Sequence, residues 1–127
     1  AEWEYAASTG SKTGKTKWAG TNNENNLGDY SWYIINSEIK TQLVGSKKPN
    51  ALGLYDMSGN VWEWCSDCYG DYPTKAQADP IGLESGSFRV YRGGSCNDAS
   101  QLCRSANRDF NDPNKHYSVI GFRLVSN

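Results

Sequence analysis

The stretch Asn50-Ala-Leu-Gly-Leu-Tyr-Asp-Met-Ser-Gly-Asn-Val-Trp-Glu-Trp-Cys65 decides the fold. It places large apolar side chains on both sides of a tight polar turn. Alternation after that turn predicts a strand with Glu63 on the face opposite Trp62 and Trp64. The Glu63 carboxylate therefore needs either water or a cation as its partner.

A metal site is one interpretation of the turn inside this stretch. Asp56 and Glu63 bracket a Gly59-Asn60 pair, and glycine permits the positive φ that turns backbone carbonyls inward. Carboxylates combined with carbonyls suit a hard cation such as calcium. The alternative is a solvated turn capped by Asp56 beside an exposed Glu63.

Composition and charge limit the classes of function. The chain has 127 residues, a net charge of −1 and a pI near 5.8, so it fits one domain and offers no basic surface for nucleic acid. No apolar run approaches the roughly 20 residues of a membrane span. Because the sequence opens directly on Ala1-Glu-Trp-Glu-Tyr-Ala-Ala7, we expect the natural protein to begin earlier.

Four cysteines raise the possibilities of a metal, a redox centre or a disulfide. Cys65 and Cys68 have CxxC spacing, but Cys96 and Cys103 do not, and His116 is the single histidine, so zinc lacks a second ligand pair. A thioredoxin-like motif should open a helix, whereas this one follows a strand. We expect a disulfide from Cys103 to Cys65 or Cys68, which implies an oxidising compartment.

The remaining chain is predicted to be loop-rich. Residues 1–7 have helical character, residues 8–17 form a polar loop, and residues 42–45, 88–95 and 120–125 are strand candidates. A long polar excursion occupies residues 96–119. Loops of this length inside a compact domain are usually functional.

Several motifs, in order along the chain, resemble the formylglycine-generating enzyme (sulfatase-modifying factor) family. They are Ala1-Glu-Trp-Glu-Tyr-Ala-Ala7, Gly53-Leu-Tyr-Asp-Met-Ser-Gly-Asn-Val-Trp-Glu-Trp64, Arg89-Val-Tyr-Arg-Gly-Gly-Ser95, Arg104-Ser-Ala-Asn-Arg108 and Gly121-Phe-Arg-Leu-Val125. The resemblance implies an α+β class and a C-type lectin fold of that type, loop-rich with short antiparallel strands. It also implies that residues 1–127 are a single domain, the C-terminal part of a longer lectin-like domain.

The resemblance implies a structural calcium ion as cofactor. The family's ligands fall on Asp56, Gly59, Val61 and Glu63, the middle two acting through their carbonyl oxygens. This mixture of side-chain and main-chain oxygens is what calcium prefers.

The family's oxidase activity is the alternative function. The enzymes bind copper through two cysteines after the Gly-Gly-Ser motif and oxidise a cysteine of a sulfatase-like substrate. Here Asp98 stands at the first cysteine position, and Cys103 does not align with the second, although Cys96 and Cys103 could pair in another register. We therefore expect a binding protein and not an enzyme.

The excursion also resembles the mutable region of the variable proteins of diversity-generating retroelements, which are rewritten by adenine mutagenesis. Most of its non-framework residues can be reached from an AAC codon by changing adenines alone. Gln101 and Lys115 need other template codons, and Cys96 stands where tryptophan is usual. Within a candidate variable region at residues 88–125, the predicted ligand-binding positions are Cys96, Asn97, Asp98, Ala99, Ser100, Gln101, Asp109, Phe110, Asn111, Lys115, His116, Tyr117, Ser118 and Val119.

This resemblance implies recognition of a protein or surface receptor, with Phe110, His116 and Tyr117 as the main contact residues. Four arginines, by contrast, are predicted to be structural: Arg92, Arg104, Arg108 and Arg123. Display outside the cell or on a bacterial surface, as a lipoprotein for instance, fits this role. Two alternatives stay open, an ordinary Asn/Asp-rich surface loop and a purely structural lectin-like domain without a ligand.

Overall fold

The computed structural model describes residues 1–8, 14–78, 80, 82–83 and 85–125. The predicted loop at residues 8–17 lies partly outside this range. The regular elements are helix α1 (Glu2–Ser8), a 3₁₀ helix (Glu24–Asp29) and strands β1 (Trp62–Cys68), β2 (Arg89–Arg92), β3 (Arg108–Asn111) and β4 (Ile120–Gly121). Within the described ranges, no helix has the length and apolar character needed to cross a membrane.

The strands form one sheet in the order β3-β2-β1-β4. β1 pairs antiparallel with β2, and β2 with β3, as predicted, but β4 runs parallel to β1, with Trp62 opposite Ile120. β3 and β4 therefore point the same way at opposite edges, roughly 14 Å apart. Residues 112–119 must cross the sheet to connect them, which is why the all-antiparallel prediction was wrong for β4.

The two faces of the sheet have different neighbours. Glu63 and Arg92 are paired across β1 and β2 on the face that α1 covers, because Trp3 and Glu4 of the helix bond to them. The opposite face carries indole and phenol rings. Tyr91 lies edge-on to Trp62 and Trp64, with ring centroids 4.9 and 5.4 Å apart. The predicted strand and the predicted facing of Glu63 are therefore confirmed.

Two small clusters of buried side chains pack the long loops against one another and against α1. Trp18, Leu27, Tyr33 and Cys103 form one, and Ala7, Ala19 and Met57 form the other. Hydrogen bonds connect the two: the Ser58 hydroxyl accepts from the Ala19 amide at 3.1 Å and donates to the Cys103 carbonyl at 2.8 Å. Trp18, in the aromatic-rich part of the chain before residue 45, therefore helps to anchor the loops.

Three further predictions are corrected by the structure. Residues 42–45 form no strand, because the Asn60 side chain takes both backbone groups of Gln42. The excursion is not wholly irregular, since β3 lies inside it. The expected disulfide is absent: all four cysteines are free thiols. Cys103 is buried against Gly94, whereas Cys65 and Cys68 belong to β1.

Candidate functional site

The turn before β1 has an unusual backbone conformation. Asp56, Gly59 and Asn60 all have positive φ, at 55°, 78° and 64°. A side chain at Gly59 would collide with the Trp32 carbonyl oxygen, so the close approach of the two chains requires glycine. The Asp56 carboxylate is half satisfied: Oδ2 accepts the Gly45 amide at 2.7 Å, while Oδ1 is buried without a hydrogen-bond partner among the described residues.

Glu63 is buried, with 6% of its surface exposed, and its carboxylate is paired with a cation. Arg123 donates from Nη2 to Oε1 at 2.7 Å and from Nε to Oε2 at 3.1 Å, and Trp3 Nε1 donates to Oε2 at 2.8 Å. The hydrogen bond to Glu63 raises the pKa of the Arg123 guanidinium. Of the two partners that the sequence allowed, water or a cation, the structure provides a cation, Arg123, which follows β4.

These donors fit a calcium ion. Asp56 Oδ1 has both acceptor positions free, and Glu63 Oε1 accepts one bond where a carboxylate oxygen can accept two. Arg123 lies close enough to Asp56 to feel its charge, so an ion here would share the two carboxylates with a guanidinium.

The predicted mutable residues differ in exposure. Nine are exposed: Asn97, Ala99, Gln101, Asp109, Phe110, Lys115, His116, Tyr117 and Ser118. Asp98, Asn111 and Val119 are half-buried, while Cys96 and Ser100 are buried. Most of the predicted surface is thus displayed, and a minority of its positions belong to the interior.

The rest of the chain holds the mutable segments largely through main-chain atoms. The Cys96 amide donates to the Asn60 carbonyl at 2.8 Å, and the Asp98 carbonyl accepts the Ile34 amide at 3.1 Å. Two tryptophans continue this pattern. Trp18 Nε1 donates to the Ser100 carbonyl at 2.7 Å, and the Trp62 amide donates to the Val119 carbonyl at 2.8 Å. These bonds persist whatever side chain the mutable position carries.

Two side chains among residues 96–101 nevertheless bond to residues outside this segment. Asp98 Oδ2 accepts the Ser95 amide at 2.9 Å and the Ser95 hydroxyl at 2.6 Å, and the Ser100 hydroxyl bonds to Glu24. Only Asn97, Ala99 and Gln101 present exposed side chains in this segment. The first mutable segment therefore offers fewer contacts than the sequence predicted.

Three of the predicted mutable residues, Asp109, Asn111 and Tyr117, lie around Tyr91. Asp109 is directly opposite Tyr91 in the sheet and bonds to its hydroxyl, as does Asn111. Burial, followed by the charge of Asp109, raises the pKa of Tyr91 to about 12, with Tyr117 contributing. Residues 112–119 thus cross the aromatic face of the sheet. The sequence did not indicate Tyr91, because β3, which places Asp109 opposite it, is hidden among polar residues.

Phe110 lies apart from this group. It alternates with Asp109 and Asn111 along β3, so its side chain projects from the α1-covered face, where it stacks on Tyr69 at 3.9 Å and meets Phe88 at 5.3 Å. Phe110 and Tyr117 are both exposed, at 37% and 41%, but the structure does not bring them together. The mutable residues therefore form separate surfaces.

Each of the four arginines bonds to a carboxylate or a loop carbonyl of the chain, as predicted. Arg92 pairs with Glu4 at 3.2 Å, and Arg123 pairs with Glu63. Arg104 donates to the Gln101 carbonyl at 2.9 Å, and Arg108 donates to the Gly70 carbonyl at 2.7 Å.

The cysteines are poorly placed for copper chemistry. Burial raises the pKa of Cys103 to about 12 and also raises that of Cys96, which disfavours the thiolate form of both. The Cys96 thiol bonds instead to Asn97 Oδ1 at 3.2 Å. No cluster of three or more His, Cys, Asp or Glu side chains that could hold a metal ion occurs in the part of the chain that the structure describes.

Comparison with known proteins agrees with this architecture. The chain is 35% identical to the formylglycine-generating enzyme of Streptomyces coelicolor over 99% of its own length and 45% of that enzyme. Treponema denticola variable protein 1 superposes with a TM-score of 0.88 and 45% identity, covering 95% of this chain and 43% of that one. PvdO from Pseudomonas aeruginosa superposes with a TM-score of 0.74 and 30% identity, covering 95% and 48%.

The chain thus spans less than half the length of these relatives. The similarity shows the C-type lectin fold of the formylglycine-generating type. A family model, the sulfatase-modifying factor enzyme 1-like domain, matches residues 1–127. The chain belongs to the sulfatase-modifying factor enzyme 1-like family.

Proposed function

We propose that this chain is the recognition part of a variable protein of a diversity-generating retroelement. The observation that carries the proposal is the main-chain attachment of the mutable segments, through Cys96 N and the carbonyls of Asp98, Ser100 and Val119. Similarity to Treponema denticola variable protein 1 supports the same conclusion.

In this proposal the scaffold provides stability, and the exposed side chains provide the contacts with the partner. Exposed substitutions away from the core change stability little, whereas they replace the chemistry that a partner meets. We place the principal contact surface on Asp109, Asn111, His116, Tyr117 and Ser118, with Lys115 beside them. Asn97, Ala99 and Gln101 form a smaller group. Phe110 belongs to a separate aromatic surface with Tyr69.

The partner in this proposal is a protein or another surface receptor, because aromatic and short polar side chains suit such contacts. In this proposal the chain acts as a binding protein rather than an oxidase, since Cys96 and Cys103 are buried and form no disulfide. Display on a bacterial surface follows from the recognition role. The expected disulfide was the reason to predict an oxidising compartment, and the four free thiols remove that reason.

Calcium is the second part of the proposal. Asp56 and Glu63 would hold the ion through side-chain oxygens, and Gly59 and Val61 through carbonyls. When bound, it would neutralise the buried Asp56 oxygen that has no partner and so fix the turn preceding β1. Removal of calcium by a chelator should then lower the melting temperature, because an ion that binds only the folded state stabilises it. Asp56→Asn should abolish this difference, and equal melting with and without calcium would contradict the site.

A display experiment tests the recognition role. One library randomises Asn97, Ala99, Gln101, Asp109, Asn111, His116, Tyr117 and Ser118, and a matched library randomises the exposed Lys40, Thr41, Leu43 and Val44. Both are selected against two unrelated proteins. We expect folded, target-specific binders from the first library only. Binders from both libraries alike, or widespread unfolding in the first, would contradict the proposal.

The genomic neighbourhood gives an independent test. A near-identical, adenine-rich copy of the region coding for residues 96–119 should lie beside a reverse-transcriptase gene. Differences between the copies should occur at adenines. If the coding region has no such copy nearby, the binding role could still hold, but the assignment to a diversity-generating retroelement would be contradicted.

A further inference from the structure

A cleft of about 450 Å³ opens away from the contact surface proposed above. The end of α1, residues 15–17, Tyr72 and residues 104–108 form its walls. None of the predicted mutable residues is among the described residues that line it. The cleft is therefore part of the unvaried framework, and the recognition role does not account for it.

The charge of the cleft is strongly positive. Four of its lining side chains are cationic, and they are Lys15, Lys17, Arg104 and Arg108. Glu4 is the lining carboxylate among the described residues, and it is already paired with the buried Arg92 at 3.2 Å. Arg92 is also fixed from the other side by the Asn107 carbonyl at 3.3 Å. The local balance thus leaves uncompensated positive charge facing the cleft.

The two arginines that line the cleft are held in place without using all their donors. Arg108 stacks on Tyr72, with its guanidinium carbon 3.7 Å from the ring centroid, and donates one hydrogen bond to Gly70. Arg104 donates through Nε to Gln101. A guanidinium has five N–H donors in a fixed plane, so each retains hydrogen-bonding capacity in a preset orientation.

Two buried hydroxyls at the cleft provide a second, independent observation. Ser8 and Ser105 both line it, are 3% and 2% exposed, and have hydroxyl oxygens without hydrogen-bond partners among the described residues. An unsatisfied buried hydroxyl is unfavourable unless a ligand or water completes it. Serine has three staggered χ1 wells, so each hydroxyl can turn toward an acceptor in the cleft.

We propose that this cleft binds the phosphoryl group of a small phosphorylated ligand. A tetrahedral oxyanion has enough acceptor oxygens for two arginines, two lysines and two hydroxyls together, whereas a carboxylate has only two oxygens. The cleft also has room for more than an isolated ion. This site does not depend on the proposed receptor recognition, and either can fail without the other.

The test is a titration of the protein with inorganic phosphate, followed by melting temperature and by NMR shifts, with chloride maintaining the ionic strength. Ser105→Ala is the decisive variant. Because its hydroxyl has no partner, the melting temperature without phosphate should not fall, while phosphate affinity should weaken about tenfold. Arg104→Ala should weaken affinity at least as much. Lys40→Ala, which removes an exposed lysine elsewhere, should leave it unchanged.

Three results would overturn the proposal. They are no stabilisation by phosphate beyond that of chloride, equal affinity in the Ser105, Arg104 and Lys40 variants, or equal stabilisation by acetate. A parallel titration with a sugar phosphate addresses the size of the ligand. Tighter binding than inorganic phosphate supports a phosphorylated small molecule, and weaker binding means that the cleft accepts the free ion alone, contrary to the proposal.

Discussion

Arg123 and Glu63, sixty positions apart in sequence, form a two-point ion pair with donor–acceptor distances of 2.7 and 3.1 Å. This pair attaches the final segment of the chain to β1, beyond the short β4 ladder. Because Glu63 is buried, losing the guanidinium would leave a carboxylate away from water.

Arg123→Ala should lower the free energy of unfolding by about 3 kcal/mol, the cost of an unpaired buried charge. The measurement is urea denaturation followed by tryptophan fluorescence. Lys48→Ala is the control, since Lys48 and Asp29 form an ion pair on the surface with both side chains more than half exposed. Equal loss in the two variants would show that the position of Arg123 is unimportant.

Gly94→Ala should be severely destabilising, whereas Gly53→Ala should cost about 1 kcal/mol. Both glycines have positive φ, 72° and 78°, so both substitutions strain the backbone. Only at Gly94 would the new Cβ lie 2.6 Å from the Cys103 sulfur, while nothing lies within 4 Å at Gly53. The difference between the melting temperatures of the two variants measures the steric contribution, since both share the backbone strain. Similar melting temperatures would contradict the packing of Cys103 against Gly94.

Tyr91 should make stability depend on pH at the alkaline end. Its pKa is raised from 10.0 to about 12, so the folded state holds the phenol proton more tightly than the unfolded state. The resulting stabilisation is complete below pH 10 and is lost as pH rises from 10 to about 12. Denaturation across this range checks it, and Tyr91→Phe should flatten the profile. If the free energy of unfolding of Tyr91→Phe depends on pH as before, another group causes the effect.

Phe110→Ala and Tyr117→Ala should separate the two aromatic surfaces. Phe110 stacks on Tyr69 and meets Phe88 edge-on, so its loss should reduce stability by about 1–2 kcal/mol. Tyr117 is exposed on the connecting segment, and its removal should have little effect. Chemical denaturation compares them, and a greater loss for Tyr117 would mean that it serves the scaffold.

The sequence predicted the strand around Glu63 because strict alternation of aromatic and polar residues leaves few other structures. It also predicted the exposure of His116, Tyr117 and Ser118. It could not predict which face Phe110 occupies, because the polar residues around it concealed β3. The direction of β4 was equally hidden, since it depends on where residues 112–119 travel and not on the residues of β4.

The missing disulfide and the internal bonds of Ser100 have a common cause. Cysteine spacing and codon composition are local properties of the sequence. The position of Cys103 depends on Gly94, and that of Ser100 depends on Trp18, because the fold brings these residues together. Such three-dimensional proximity leaves no mark on a single sequence.

The crossing of residues 112–119 from one sheet edge to the other constrains the kind of change this protein can inherit. A change of length there that shifted β4 by one position against β1 would turn Arg123 away from Glu63. Replacement of one amino acid by another leaves that register intact. New variants of residues 112–119 must therefore arise by substitution and not by a change in length.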